Sequence, residues 1–261
     1  MFAKFSVNQL RKGIAKASLV SYFPKGIIPS GDKFLAEIFP NGNYTRFNHF
    51  HVITEGFMYN PPPDNAVFRI FSFTRFMWKG PFPPGRSEYE NKGNDIMLKG
   101  IALFLKNYGK PLDIHFIEKG LHIQESKELI DSLGFSDMVT WHKGMPFKEL
   151  QAHIIKSDVV FEQLGNHYVS GGLYAMLLGR PVIGNARPEI FEPLLKEPTP
   201  ICHALTAADV CDWLQKLTAD KALLHNIGVS SRAYVLKHFD IKNETLFFKN
   251  FIEEKLARKQ A

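Results

Sequence analysis

The sequence predicts an α/β fold in which helices cover both faces of a parallel β-sheet. From residue 66 onward, short apolar runs of strand length alternate with longer segments whose apolar residues recur at helical spacing. Such alternation is typical of parallel sheets, because neighbouring parallel strands are usually joined through a helix. The stretch 157–184 shows the pattern most sharply, since a valine-rich run, a glycine-bearing loop and a helical pattern follow one another there.

The stretch 157–184 predicts a strand, a loop, a helix and a second strand. The buried strand is Val159–Phe161, and the helical pattern begins at Leu173. Gly179 is placed to end that helix in a left-handed turn before the strand that starts at Pro181. In an α/β protein such a loop lies at the carboxyl end of the sheet, where the N–H groups that begin a helix can bind an anion such as phosphate.

The first 62 residues predict a smaller region that ends in a linker. A helix is predicted from residue 7 to about residue 19, followed by a short strand at Leu19–Phe23 and a turn at Pro40–Asn43. The three prolines within residues 59–64 indicate a stiff, extended linker. We therefore place a domain boundary between residues 62 and 63.

Residues 63–261 carry the remaining predicted elements. No G-x-G-x-x-G motif follows the first strand, which argues against the commonest dinucleotide-binding proteins. The loop 78–92 is rich in proline and glycine, and we predict either a functional lid or a mobile insertion. Strands are predicted at 66–73, 112–117 and 138–141, and helices at 96–107, 125–133, 146–155, from the capping box at 206–209 onward, 222–238 and 244–259.

Several short motifs agree with one known family. They are Asp-Val-Val at 158–160, Ala-Met at 175–176, Gly-Arg-Pro-Val-Ile at 179–183 and, upstream, Phe-Thr-Arg at 73–75 and Lys-Gly at 92–93. Together they resemble the donor-sugar half of the retaining GT-B glycosyltransferases, most closely between Val139 and Gly184. The resemblance implies a Rossmann-like sheet that forms the C-terminal half of a GT-B fold. Residues 63–261 would bind a nucleotide-diphosphate sugar, and residues 1–62 would be a remnant of the N-terminal acceptor domain with its linker.

The sequence departs from the two-glutamate signature of this family. In relatives the second glutamate immediately precedes Ala-Met and holds the ribose of the donor, whereas Tyr174 stands there in this chain and Asn166 stands at the first position. A tyrosine can donate to a ribose hydroxyl but cannot supply a carboxylate acceptor. Glu162 remains four residues upstream of Asn166, where one branch of the family has Asp-Gln.

The resemblance implies a catalytic set of Arg75, Lys92 and Glu162. Arg75 and Lys92 match the pair that grips the diphosphate, since a guanidinium forks onto phosphate oxygens and an ammonium supplies a point charge. Glu162 is either an acceptor for a sugar hydroxyl or a rim carboxylate exposed to water, and a lone cation is otherwise usually a solvated surface residue. The predicted donor-binding residues are His142, Lys143, Asn166, Ser170, Gly171, Gly172 and Tyr174.

The net charge of +6 is concentrated at the start of the chain, because residues 1–31 contain five basic residues and no acidic one. Phe2, Phe5, Leu10 and Ile14 could share one helical face. This combination predicts a helix on an anionic membrane surface, a mitochondrial presequence or an ordinary helix that packs against other protein. Basic residues are not interleaved with aromatic ones in a recognised module, so we expect no nucleic-acid partner.

Cysteine usage favours a reducing compartment, and we expect the cytoplasm, with a peripheral position at the inner membrane as an option. Cys202 and Cys211 lack the density of a disulfide framework, and no apolar run reaches the roughly 20 residues that span a bilayer. No spacing of His, Cys, Asp or Glu is that of a dedicated metal site. We therefore expect no metal and no cofactor.

Three functions remain open on these observations. The first is a donor domain that serves retaining glycosyl transfer in polysaccharide or glycolipid synthesis, with a lipid-linked acceptor as one option. The second is a non-catalytic module that binds a sugar nucleotide or a protein partner. The third is a sugar-nucleotide epimerase with the same architecture.

Overall fold

A six-stranded parallel β-sheet is the centre of the computed structural model, which describes residues 2–82 and 90–260. The chain forms two compact units, one ending at Phe50 and the other beginning at His51. The strands are β1 Ser21–Tyr22, β2 Thr45–Arg46, β3 Phe68–Ser72, β4 Leu112–Ile117, β5 Val139–His142, β6 Val159–Phe161, β7 Val182–Gly184 and β8 Cys202–His203. The helices are α1 Phe2–Lys16, α2 Pro29–Ile38, α3 Asn94–Tyr108, α4 Ile123–Leu133, α5 Phe147–Lys156, α6 Gly172–Leu177, α7 Pro188–Leu195, α8 Ala207–Ala219, α9 Lys221–His238 and α10 Ile241–Gln260.

The order of the strands in the large sheet is β5-β4-β3-β6-β7-β8, and every neighbouring pair is parallel. Among the strands of this sheet, β3 comes first along the chain and lies in the middle. The connections therefore run outward from β3 in both directions, which is the order of doubly wound α/β sheets. Ile70 of β3 is in register with Ile114 of β4 on one side and with Val159 of β6 on the other. The predicted α/β fold with a parallel sheet is confirmed.

Helices cover both faces of the sheet, as predicted. On one face the side chains of Ile70, Ile114 and Phe161 belong to the main apolar core, to which α3 and α8 contribute. Side chains of successive strand residues alternate between faces, so Phe71 points the other way. There its ring stacks on His153 of α5, with the ring centroids 5.5 Å apart.

The smaller unit contains α1, α2 and the short parallel pair of β1 and β2, with Ser21 opposite Thr45. Arg46 of β2 connects elements of this unit, because its Nη1 donates to Oδ1 of Asp32 in α2 at 2.6 Å and to the carbonyl of Phe23 after β1 at 3.0 Å. Proline opens α2 at Pro29, a position where its missing N–H has no helical partner.

Residues 51–62 pack with the larger unit. The N–H of Val52 donates to the carbonyl of Phe239 at 2.8 Å, and the carbonyl of Val52 accepts from Ile241 at 3.1 Å. The N–H of Asn60 donates to the carbonyl of Leu178 at 3.2 Å. The division between the compact units therefore falls twelve residues before our boundary at residue 62, and the assignment of residues 1–62 to an acceptor-domain remnant stays a prediction.

Arg180 is fully buried and connects the linker at residues 59–64 to the rest of the larger unit. Its guanidinium donates to the backbone carbonyls of Ile154 at 3.2 Å, Gly179 at 3.3 Å and Pro61 at 2.9 Å. Burial lowers the pKa of Arg180 to about 10, so the group is still a cation at neutral pH. A buried cation of this kind needs such acceptors, because an unpaired one would cost several kcal/mol, on the order of 3–5.

The pattern of apolar residues located most elements of the larger unit within a few residues, but it missed four elements, two in each unit. These are β2, β8, α2 and α7. Strands of two residues carry no periodic signal, and α7 contains Pro193 in its interior, which opposes a helical prediction. Pro146 also differs from expectation, because it occupies the N-cap position and α5 begins at Phe147.

Residues 83–89 of the predicted lid or insertion at 78–92 lie outside the described residues. Among the helices of the described ranges, none combines the length and the apolar character that crossing a membrane requires.

The start of α8 offers a test of the fold. The predicted capping box is present, since Thr206 Oγ1 accepts from the N–H of Asp209 at 3.1 Å and Asp209 Oδ2 accepts from the N–H of Thr206 at 2.9 Å. We expect Thr206→Ala to lower the free energy of unfolding by about 1 kcal/mol, because an N–H at the helix start loses its acceptor. Urea unfolding measures the loss. Thr206→Ser keeps the oxygen and should cost much less, and equal losses in both variants would contradict this account.

Candidate functional site

The candidate site lies at the carboxyl edge of the sheet between β3 and β6, where the connections diverge. Doubly wound sheets bind ligands at such switch points, because the two departing loops leave a crevice. The loop after β3 leads through Arg75 to Lys92, and the loop after β6 runs from Glu162 to Gly171. These loops carry the residues that the sequence predicts to be functional.

Glu162, the residue directly after β6, is a buried carboxylate at this edge. Its residue surface is 8% exposed, Oε1 lies 3.5 Å from the donating hydroxyl of Thr74, and Oε2 has no hydrogen-bond partner among the described residues. Burial raises the pKa of Glu162 to about 7, against the opposing effects of a backbone hydrogen bond, Lys92 and Thr74. Of the two alternatives open from the sequence, a rim carboxylate exposed to water does not fit this burial.

Lys92 lies beside Glu162 and is held by both its backbone and its side chain. Its N–H donates to the carbonyl of Met77 at 2.6 Å, its carbonyl accepts from Leu164 at 2.9 Å, and Nζ donates to Gln163 Oε1 at 2.9 Å. Burial is the main effect on the pKa of Lys92 and lowers it, Glu162 raises it and Arg75 lowers it. The structure therefore brings Lys92 and Glu162 together and places Arg75 within electrostatic reach of them.

Arg75 lies nearer the solvent than Lys92. Its side chain is 41% exposed, and Nη2 is 3.8 Å from Oε2 of Glu90. At that distance and exposure the ion pair contributes little, about 0–1 kcal/mol. The guanidinium is therefore free to reorient toward an anionic ligand at low cost.

The loop after β6 presents backbone and small side chains. Asn166 and Ser170 are exposed, the carbonyl of Asn166 accepts from Arg187 Nη1 at 2.7 Å, and the N–H of Ser170 donates to the carbonyl of Tyr168 at 2.8 Å. A Cβ at Gly171 would lie 3.0 Å from the ring of Phe73 and 3.4 Å from Glu162 Oε1. The glycines therefore allow the start of α6 to approach the buried carboxylate.

Helix α6 has only six residues, and its first N–H groups have no acceptor within the helix. Tyr174 lies in its first turn between two aromatic rings, with centroid distances of 5.5 Å to Phe57 and 5.0 Å to Phe147. The residue at the position of the second signature glutamate is thus part of an aromatic cluster. Any role for Tyr174 in ribose binding stays a prediction.

His142 and Lys143 lie apart from this group, at the end of the edge strand β5, and make other contacts. His142 Nε2 is 2.8 Å from His115 Nδ1, and Lys143 Nζ donates to Glu118 Oε2 at 2.6 Å. Hydrogen bonds from Lys127 and then from Lys143 lower the pKa of Glu118 to about 2. The predicted donor contacts of His142 and Lys143 gain no support from this placement and stay predictions.

Sequence reasoning missed Arg187 and Gln163. Arg187 follows β7 in a left-handed backbone conformation, φ 46°, and its side chain is 17% exposed. Burial lowers the pKa of His167, and the charges of Lys92 and Arg187 lower it further, so both cations lie within electrostatic reach of His167. Their positions could have indicated them, because Gln163 and Arg187 lie on loops that leave the adjacent strands β6 and β7 at the same edge of the sheet.

The arrangement is suited to an anion. Arg75, Lys92 and Arg187 supply positive charge at the switch point, and a buried carboxyl with a pKa of about 7 lies among them. Anions such as phosphates are bound where cations and backbone N–H groups converge.

No protein-family model matches the chain, and no curated protein matches it. Solved structures do match. TarM of S. aureus, in complex with fondaparinux, alpha-GlcNAc-glycerol and UDP, superposes with a TM-score of 0.64 at 14% identity, over 94% of this chain and 46% of that one. Sucrose-phosphate synthase of Thermosynechococcus elongatus gives a TM-score of 0.65 at 14% identity, over 98% of this chain and 62% of that one.

HepE of Anabaena, in complex with UDP and glucose, gives a TM-score of 0.64 at 14% identity, over 96% of this chain and 66% of that one. These proteins are GT-B glycosyltransferases, and the predicted Rossmann-like GT-B fold is confirmed. The chain spans about half to two thirds of the length of these structures. At such identities the likeness establishes the fold.

The buried carboxyl of Glu162 gives a prediction about stability and pH. With a pKa of about 7 when folded and 4.5 ordinarily, Glu162 is protonated in the folded chain and ionised in the unfolded chain between those pH values. The folded state then binds more protons, so its stability falls as the pH rises through this window. Glu162→Gln removes the effect, and we expect it to stabilise the protein at pH 8 by on the order of 3 kcal/mol.

The expected gain is much smaller at pH 5, and urea unfolding at both pH values measures it. Glu128→Gln, which changes an exposed carboxylate of α4 in the same way, should alter stability little at either pH. A gain for Glu162→Gln that is equal at pH 5 and pH 8 would show that folding does not raise the pKa of Glu162.

Proposed function

We propose that this chain is the donor-binding part of a glycosyltransferase, which binds a nucleotide-diphosphate sugar and takes part in glycosyl transfer with retention. The observation that carries the proposal is the position of Lys92, fixed beside Glu162 and Gln163 at the switch point of a GT-B sheet. The solved structures support it, because TarM and HepE are described in complex with UDP.

The chemistry of the proposal rests on charge. When the bond between the sugar and the diphosphate breaks, negative charge develops on the leaving diphosphate, and fixed cations lower the barrier most when they need no reorganisation. Lys92 meets this condition because its backbone N–H and its carbonyl both form hydrogen bonds to neighbouring backbone. In this proposal Arg75, at the rim, closes onto the outer phosphate, and the backbone N–H groups of Gly171 and Gly172 complete the anion site, since that of Ser170 already donates to Tyr168.

Glu162 contributes to the same site as a group that can donate as well as accept. Below about pH 7 it carries a proton in the folded chain, so it can donate a hydrogen bond to a sugar hydroxyl or a phosphate oxygen. Asn166 and Tyr174 replace the two signature carboxylates, and in this proposal Tyr174 binds the ribose through its hydroxyl. The acceptor, in polysaccharide or glycolipid synthesis, would be bound outside these residues.

Two other functions use the same anion site and differ in their products. A non-catalytic module binds the sugar nucleotide and leaves it intact, and an epimerase changes one sugar stereocentre without an acceptor. Incubation of the chain with uridine and guanosine diphosphate sugars, followed by product analysis, separates the three. Release of free diphosphate favours the transferase, since donor hydrolysis is its reaction with water.

The anion site is tested by titration calorimetry with uridine diphosphate and guanosine diphosphate. We expect Arg75→Ala and Lys92→Ala each to weaken binding by roughly tenfold or more, because each removes a charge-assisted hydrogen bond worth about 1.5–3 kcal/mol. Gly171→Asp should weaken binding similarly by adding negative charge, and Tyr174→Phe should cost less because it leaves the phosphate contacts intact.

Lys99→Ala is the matched control, since Lys99 forms an exposed pair with Asp95 on α3 at 2.9 Å, outside the site. It removes the same charge and should leave binding unchanged. If the variants of Arg75, Lys92 and Gly171 bind as tightly as the parent while Tyr174→Phe does not, the diphosphate is bound elsewhere.

We also propose that α1 attaches the protein to the cytoplasmic face of an anionic membrane. In the described part of α1, Val7 is 44% and Leu10 is 56% exposed, and its last turn carries Lys16. Exposed apolar residues next to basic ones are what a helix in a membrane interface presents. The side chains of Phe2 and Phe5 lie outside the described residues.

Vesicle cosedimentation tests this attachment. We expect binding to phosphatidylserine vesicles that weakens with salt and with Lys12→Glu/Lys16→Glu, since each lysine near an anionic surface contributes about 1 kcal/mol. Lys106→Glu/Lys110→Glu makes the same change at exposed lysines near the end of α3 and should keep the binding. Equal losses in both pairs would mean that total charge, not α1, governs attachment.

A further inference from the structure

Three histidines meet on the face of the sheet that α5 covers. His115 lies in β4, His142 ends β5 and His153 lies in α5, and one ligand atom from each can be chosen so that all lie within 4.8 Å of one another. The rings of His142 and His153 have centroids 4.5 Å apart, and those of His115 and His142 stack at 5.1 Å. The glycosyl-transfer proposal makes no use of this cluster.

The parallel pairing of β4 and β5 explains how residues distant in sequence come together. Ile117 is opposite His142, so His115, two residues earlier in β4, points to the same face as His142. The chain then crosses from β5 to β6 through α5, which places His153 over Phe71 in the neighbouring strand β3. Spacing along the sequence could not show this meeting, because the three residues come from separate elements.

The nitrogen atoms lie close enough together for one metal ion to reach all three after the rings move. His115 Nδ1 and His142 Nε2 are 2.8 Å apart. Histidine nitrogens bind zinc at 2.0–2.1 Å, so neighbouring ligands of a tetrahedral ion lie about 3.3 Å apart. Ring rotations that move these two nitrogens apart by a fraction of an ångström would admit the ion between His115 and His142.

A carboxylate behind the cluster orients one of the ligands. His115 Nε2, which is buried and lacks an aligned hydrogen bond, lies 2.8 Å from Asp113 Oδ1, and Asp113 Oδ2 accepts from Arg69 Nε at 2.6 Å. Metal-bound histidines commonly donate their second N–H to a carboxylate, which fixes the tautomer. A proton on Nε2 leaves the lone pair of Nδ1 directed at His142 and His153.

We propose that His115, His142 and His153 form a binding site for a divalent transition metal ion, with Zn²⁺ as the ion that fits three imidazoles best. Each imidazole binds through a lone pair, so the proton between His115 Nδ1 and His142 Nε2 moves to Nδ1 of His142. All three histidines are partly exposed, so water supplies the fourth ligand. The ion would join α5 to the outer strands β4 and β5, and His142 serves the metal instead of the donor.

The test uses the full chain without a histidine tag, stripped of metal with a chelator. Titration calorimetry with Zn²⁺ should give one site per chain, and Co²⁺ should give the visible absorption of a low-symmetry tetrahedral complex. Thermal unfolding should shift upward with Zn²⁺ concentration, because an ion bound only by the folded state stabilises it. The variants His142→Ala and His153→Ala should each lower the affinity at least tenfold and abolish the cobalt band.

Two further variants separate this site from others. Asp113→Asn keeps all three ligands and should lower the affinity by about 10–100-fold, as loss of a partner behind a ligand does. His225→Ala removes an exposed histidine of α9 and should change nothing. If Zn²⁺ binds the parent and the His142 and His153 variants equally, or does not bind the parent, the proposal is overturned. Binding of uridine diphosphate, measured separately, reports on the donor site alone.

Discussion

The candidate site depends on the close approach of two loops that leave β3 and β6. A side chain at Gly165 would place its Cβ 1.8 Å from the carbonyl oxygen of Asn91, and one at Gly93 would lie 2.9 Å from the backbone of Gly165. Gly93 also has φ 64°, a conformation that favours glycine. Backbone packs on backbone here, and the hydrogen bond from Leu164 to Lys92 closes the contact at 2.9 Å. Lys92 therefore stands beside the strand end that carries Glu162.

This enforced proximity sets the electrostatics of the crevice. Burial would remove the charge of both Lys92 and Glu162, while their attraction restores it in each. An anionic ligand would change this balance, because it favours the charged lysine and the protonated carboxyl. A diphosphate bound as proposed would therefore meet a protonated Glu162 and not an ionised carboxylate, and the positive potential of the crevice depends on the protonation of this one glutamate.

The sequence predicted the fold more fully than the site. Runs such as Leu112–Ile117 and the capping box at Thr206 carry local signals, and the structure reproduces both. The short elements β8 and α7 carry no such signal. In the site, the family resemblance indicated Arg75 and Lys92, but the positions of Arg187, Gln163 and the three histidines depend on which strands become neighbours. That information is held in the sheet order, which no local pattern encodes.

Arg180 shows that part of the family resemblance reflects packing and not ligand binding. The motif at residues 179–183 is one of those that carry the resemblance, yet its arginine is fully buried and donates to the carbonyls of Ile154 and Pro61. Gly179 with φ 87° could not carry a side chain, because its Cβ would meet Tyr59 at 2.5 Å. Gly179 and Arg180 therefore hold the linker and the end of α5 against the sheet through packing and hydrogen bonds. Such packing is required whatever the ligand, so a chain can keep it while Asn166 and Tyr174 stand at the two positions where the family signature has glutamates.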